Sequence, residues 1–133
     1  MDQLNVIVID DSEIDRYILS RQLKAAGVVR IDQFSSALEA IEYLQSLDAS
    51  ATESAPDLII LDVNMPKMNG FEFLQATQDM LGAKPLINCK IVMYSAADQH
   101  EEQTKTSEYA SVKGFLPKGS TPEEVQNLLS RLF

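Results

Sequence analysis

Four consecutive apolar residues, Leu58-Ile59-Ile60-Leu61, run straight into Asp62 and then into Val63-Asn64-Met65-Pro66-Lys67-Met68-Asn69-Gly70. An unbroken apolar run this short reads as a strand buried on both faces, as in a parallel sheet covered by helices. Asp62 then stands where the strand leaves the core, at its carboxyl end. Open parallel sheets bind their ligands at that edge, because loops and helix N-termini converge there. Asp62 is therefore the candidate reactive residue, and the question is whether the rest of the chain supplies partners for it.

The pattern repeats along the chain. Leu4 to Ile9 is a second apolar run, and it also ends in acid, Asp10-Asp11. Ser12 is a candidate N-cap for a helix over about 13–26, with acids early, as the helix dipole prefers, and Gly27 at its end. Ile14, Ile18 and Ala25 share one line of that helix and Leu19, Leu23 and Ala26 another, a wide apolar surface suited to packing on a sheet. Residues 28–34 give a more polar strand nearer an edge. Ser36 to Glu39 reads as a capping box opening a helix to about Leu47. After a small, polar loop over 48–56 come the third strand and a helix over about 70–81. Lys90 to Tyr94 is a fourth strand ending at Ser95, residues 98–108 a surface helix, and Lys113 to Leu116 a short fifth strand. Thr121-Pro122-Glu123-Glu124 then combines an N-cap, Pro at the first helical position and Glu at the third. Val125, Leu128, Leu129 and Leu132 stripe the last helix. Five strands alternating with five helices predict an α/β doubly wound fold with a parallel sheet.

The 133 residues fit one domain, 1–133, able to bury a core without disulfides or metal staples. Cys89 has no second cysteine to pair with and reads as a buried small hydrophobe, while His100 reads as solvent-exposed. With no signal segment or long apolar span, a cytoplasmic protein off the membrane is the expectation. The net charge of −9 argues against direct nucleic-acid binding, which needs clustered Lys and Arg.

In a parallel sheet the ends of strands one, three, four and five share one edge. That edge gathers Asp10, Asp11, Asp62, Ser95 and Lys118. Three carboxylates this close repel one another unless something cationic binds. All-oxygen ligands with one or two carboxylates suit Mg²⁺, or Mn²⁺ in its place. A metal, a lysine and a hydroxyl together describe a site for a phosphoryl group, and a carboxylate can itself be the nucleophile, giving an aspartyl phosphate.

Asp10-Asp11 after strand one, Asp62 to Gly70 after strand three, Ser95-Ala96 after strand four and Lys118 after strand five resemble the receiver domain of bacterial two-component response regulators, of the single-domain, chemotaxis-regulator type. The resemblance spans essentially the whole chain and implies the flavodoxin-like form of the fold, with the five strands in the order 2-1-3-4-5. It implies that Asp62 is the phosphoacceptor, that Asp11 ligates Mg²⁺ directly and Asp10 through water, and that the Asn64 carbonyl completes the protein ligands. Ser95 and Lys118 would meet the phosphoryl group, and Phe115, also readable as a core aromatic, resembles the family's switch residue. The phosphoryl donor would be a histidine kinase, a phosphotransfer protein or a small acyl phosphate. The domain would catalyse its own phosphorylation and hydrolysis without being an enzyme in the wider sense. Output would be a protein contact through the surface of the fourth helix, fifth strand and fifth helix, with a phosphorylation-dependent dimer among the outcomes. One departure stands out: the family usually has Pro after the lysine, often through a cis peptide, whereas here Pro117 precedes and Gly119 follows.

Competing readings remain distinct. A pseudo-receiver would lack one of the acids or the lysine, and all are present. A receiver cut from a longer regulator or hybrid kinase has the same residues. A phosphatase of the haloacid dehalogenase type needs a second Asp two residues beyond the nucleophile, where this chain has Asn64.

Overall fold

The computed structural model describes residues 3–96 and 108–133. Five strands, β1 (Asn5–Ile9), β2 (Arg30–Phe34), β3 (Leu58–Asp62), β4 (Lys90–Ser95) and β5 (Val112–Pro117), form one parallel sheet in the order β2-β1-β3-β4-β5. Among the described residues four helices accompany it: α1 (Glu13–Ala25), α2 (Ala37–Ser46), α3 (Gly70–Leu81) and, C-terminal to β5, α4 (Pro122–Leu132). The helix expected over 98–108 falls almost wholly outside the described residues, as does His100. The parallel sheet is the one expected from the alternating pattern, and its order is the flavodoxin-like one that the resemblance implies.

The apolar runs explain why β1, β3 and β4 are central. Alternate side chains of these strands feed two separate cores, one on each face of the sheet. Ile7, Ile9, Ile59, Leu61, Ile91 and Met93 pack with Ala40, Leu44, Phe73 and Leu74 of α2 and α3. Val6, Val8, Leu58, Ile60, Val92 and Tyr94 pack with Leu19, Leu23, Val125 and Leu129 of α1 and α4. A strand that faces a core on both sides has no polar face, so β3 is buried throughout. β2 sits at the edge, where Arg30, Asp32 and Gln33 stay exposed and blunt it against pairing with another chain.

Two local expectations need correction. The wide apolar surface of α1 does not all pack. Leu19 and Leu23 are buried, but Ile14 is 71 % exposed, Ile18 47 % and Ala25 is exposed too. The sheet and α4 occupy one side of the helix, and its second apolar line turns to solvent. The Ser36 capping box is also only half made: Ser36 Oγ accepts from Glu39 N–H at 3.2 Å, but the Glu39 carboxylate takes the Ser35 hydroxyl instead. By contrast Asn69–Glu72 and Thr121–Glu124 each make both reciprocal bonds, starting α3 and α4 at defined residues.

Candidate functional site at the carboxyl ends of the strands

Asp10 follows β1 and Asp62 ends β3; their side chains continue the alternation of Val6, Val8, Leu58 and Ile60 onto the α1/α4 face. Asp10 is fully buried and Asp62 is 3 % exposed, while Asp11 lies in the solvent-exposed turn before α1. One carboxylate oxygen from each of the three lies within 4.8 Å of those of the other two. Asp10 Oδ1 accepts the Ser12 N–H at 2.9 Å, and Asp62 Oδ1 accepts the Asn64 N–H at 3.2 Å. Each acid is thus oriented by its own outgoing loop.

Lys118 reaches into this cluster from the end of β5. Its Nζ lies 3.1 Å from Asp10 Oδ2 and 3.4 Å from Asp62 Oδ1. The contact to Asp10 is not aligned as a hydrogen bond, so the fully buried Oδ2 has no hydrogen-bond donor among the described residues. A third carboxylate holds the lysine most closely: Lys118 Nζ donates to Asp15 Oδ2 at 2.9 Å. The Tyr94 ring lies beneath the ammonium, 5.3 Å from Nζ to its centroid. Asp15 and Tyr94 are site residues that motif reasoning missed. Asp15 looked like an ordinary acid in the first turn of a helix, and Tyr94 like the last core residue of a strand.

The electrostatics follow from this crowding. Burial, and then the neighbouring Asp10 charge, push the Asp62 carboxyl up to about 7, against the lowering effect of Lys118. Partial burial works against the Lys118 ammonium, but Asp15 and Asp10 outweigh it and hold the group charged well above the ordinary lysine range. Burial, reinforced by Asp15, raises the Tyr94 phenol to about 12, so it stays protonated.

The remaining predicted residues lie around the cluster. Asn64 is exposed on the loop leaving Asp62. Ser95 is buried at the end of β4, one residue beyond Tyr94, which is the register partner of Asp62. Its carbonyl accepts the Lys118 N–H at 2.7 Å, tying the lysine loop to the strand. Phe115 is not at the carboxylates. It pairs in register with Met93 and packs with the α2/α3 core, so it and Ser95 share the opposite face of the sheet.

Two glycines shape the loops. A Cβ on Gly70 would come 2.8 Å from the Asp62 carbonyl oxygen, so α3 can start directly against the strand end only with glycine there. Gly119 has φ +89, and the cis peptide among the described residues is Lys84–Pro85, so the Lys118–Gly119 bond is trans. The turn after the lysine is made by a left-handed glycine where the family usually has proline.

The donor set fits a small, hard cation: carboxylate oxygens only, one of them buried without a donor, and one acid open to solvent for retained waters. The chain matches the model of the response regulator receiver domain over residues 6–130. It belongs to the response regulator receiver family. Among its relatives the receiver is 34 % identical, over 125 residues, to the nitrate/nitrite response regulator protein NarL of Escherichia coli, covering 93 % of this chain and 52 % of that protein. It is 28 % identical over 126 residues to the two-component response regulator ORR1 of rice, again covering 52 % of the relative. The receiver thus spans about half the length of these curated relatives. Among solved structures, the chemotaxis response regulator CheY4 of Vibrio cholerae superposes with a TM-score of 0.78 at 28 % identity, covering 98 % of this chain and 99 % of that one. Among the described residues no helix is long and apolar enough to cross a membrane.

Proposed function

We propose that this receiver is a phosphorylation switch in which Asp62 accepts a phosphoryl group in the presence of Mg²⁺ or Mn²⁺. The observation that carries the reading is the cluster at the strand ends: a buried carboxylate at the end of the central strand, two further acids beside it and the Lys118 ammonium 3.4 Å from Asp62 Oδ1. Asp11, Asp10 and Asp62, with the Asn64 carbonyl, would hold the cation. When bound, the metal supplies positive charge beside the phosphoryl oxygens.

The protein groups divide the remaining work. Asp62 Oδ forms the bond to phosphorus as the donor's leaving group departs in line with it. Lys118 balances charge on the equatorial oxygens, and Ser95 hydrogen-bonds one of them once its hydroxyl turns toward the group. The phosphoryl group replaces the single Asp62 carboxylate charge with about −1.5 to −2 on its three acceptor oxygens at a site held by one lysine, which biases the packing around Ser95 and Phe115. Ser95 and Phe115 share a face of the sheet, so a movement of one opens space for the other. The affected surface carries β5 and the C-terminal helix α4, and would bind an output protein. The donor would be a sensor histidine kinase or a phosphotransfer protein. The same chemistry suits a receiver joined to further chain, which the greater length of the curated relatives favours as a second setting.

Intact mass after incubation with Mg²⁺ and acetyl phosphate tests the reading. One added phosphoryl group, absent from Asp62→Asn and absent in chelator, is the expected result. Failure to take up either the phosphoryl group or beryllofluoride would overturn it in favour of a binding module that is never phosphorylated.

A further inference from the structure

Lys118 has a nearer partner than the residue it would serve. Its Nζ is 2.9 Å from Asp15 Oδ2, against 3.1 Å for Asp10 and 3.4 Å for Asp62. Of the three contacts, the one to Asp15 has proper hydrogen-bond geometry. The Tyr94 ring completes a seat for the ammonium on the α1 side of the cluster. The pair joins residues 103 apart in sequence, and it ties the first turn of α1 to the end of β5. Asp15 is not needed there to start the helix, because Ser12 caps it and Glu13 already provides an acid in its first turn.

We propose that Asp15 is a positioning residue that competes with the phosphoryl site for Lys118, and so sets how readily the lysine engages an incoming phosphoryl group. The inference rests on the reading of Asp62 as phosphoacceptor. During transfer from acetyl phosphate, an Asp62 oxygen donates its electron pair to phosphorus and acetate leaves with the pair from the broken P–O bond. With Asp62 ionised, no proton changes hands in the transfer itself. As the ammonium turns its donors to a phosphoryl oxygen, the Asp15 hydrogen bond weakens or is given up. The Asp15 side chain is 31 % exposed, so water solvates it when the lysine leaves. The ion pair is then a modest brake rather than a lock.

The test measures phosphorylation by acetyl phosphate, read by intact mass, alongside the beryllofluoride concentration that half-saturates the protein. Asp15→Asn should raise the phosphorylation rate constant about fivefold, the rate equivalent of one partly exposed ion pair, and lower the beryllofluoride midpoint. Asp15→Glu, which keeps a carboxylate within reach, should return both toward wild type. The decisive arm repeats Asp15→Asn in a Lys118→Met background, where the gain should vanish. The same gain there would mean that Asp15 merely repels an anionic donor, and would overturn the proposal. So would an Asp15→Asn rate equal to or below wild type in protein with an unchanged urea midpoint. A wild-type chain that takes up neither phosphoryl group nor beryllofluoride is a different result, one that removes the phosphoacceptor reading itself.

Discussion

The crowding of Asp62 makes the metal-free protein sensitive to pH in a direction opposite to ordinary acid denaturation. With its carboxyl raised from 3.8 to about 7, Asp62 takes up a proton more readily folded than unfolded. Its contribution to stability is therefore complete below the unfolded value and is lost as pH rises through the folded one. Between about pH 5 and pH 8 the linkage relation puts that loss at about 2–3 kcal/mol. For a chain of 133 residues this corresponds to a fall in Tm of roughly 5–10 °C. The measurement is urea or thermal unfolding in chelator across that window, with Asp62→Asn as the reference that cancels the other titrating groups. The wild-type stability should fall relative to the variant as pH rises, and saturating Mg²⁺ should flatten the difference by favouring the ionised carboxylate. A difference between wild type and Asp62→Asn that stays constant across the window in chelator would refute the argument that burial and Asp10 dominate the Asp62 environment.

Gly70→Ala should destabilise the domain by about 2 kcal/mol and slow phosphorylation, since the added Cβ meets the Asp62 carbonyl at 2.8 Å and displaces the loop that orients Asp62; urea unfolding and intact mass report the two effects. Lys67, at φ +69 in the same loop, should gain about 0.5–1 kcal/mol on replacement by Gly, read as a higher urea midpoint at unchanged slope. Thr121→Ala removes the side-chain half of the α4 cap and should cost about 1 kcal/mol by the same measurement, leaving beryllofluoride binding intact.

Much of this was legible in the chain because the central strands are apolar on both faces and end abruptly in acid. That pattern places Asp10 and Asp62 on one edge with no structural information, and a five-stranded parallel sheet follows. What was not legible depended on rotation about α1. Periodicity shows which lines of that helix are apolar, but not how many sides have something to pack against, so Ile14 and Ile18 were assigned to a face that meets water. The same rotation brings Asp15 over the strand ends, and nothing local to the first turn distinguishes it from an acid placed for the dipole. Tyr94 was hidden for the opposite reason: its ring belongs to the buried core, and only register across β3 and β4 puts it beside Asp62. Glu39 illustrates a third limit, since the sequence of a capping box cannot show that Ser35 will compete for the glutamate.

The burial of β3 on both faces has a consequence for time as well as place. Its amides lie in the middle of the sheet between two cores, so they should exchange with solvent only when the whole domain opens, on the slowest scale the molecule has. Lys118 is carried by a turn that ends in a left-handed glycine and is tethered through single hydrogen bonds, Lys118 N–H to Ser95 and the Gln22 amide to the Ser120 carbonyl. Such a turn should open locally and more often, which hydrogen exchange at Lys118 compared with β3 would show. Asp62, the proposed nucleophile, is in effect a fixed post, and a fast step at the site would fall to the residues that come to meet it.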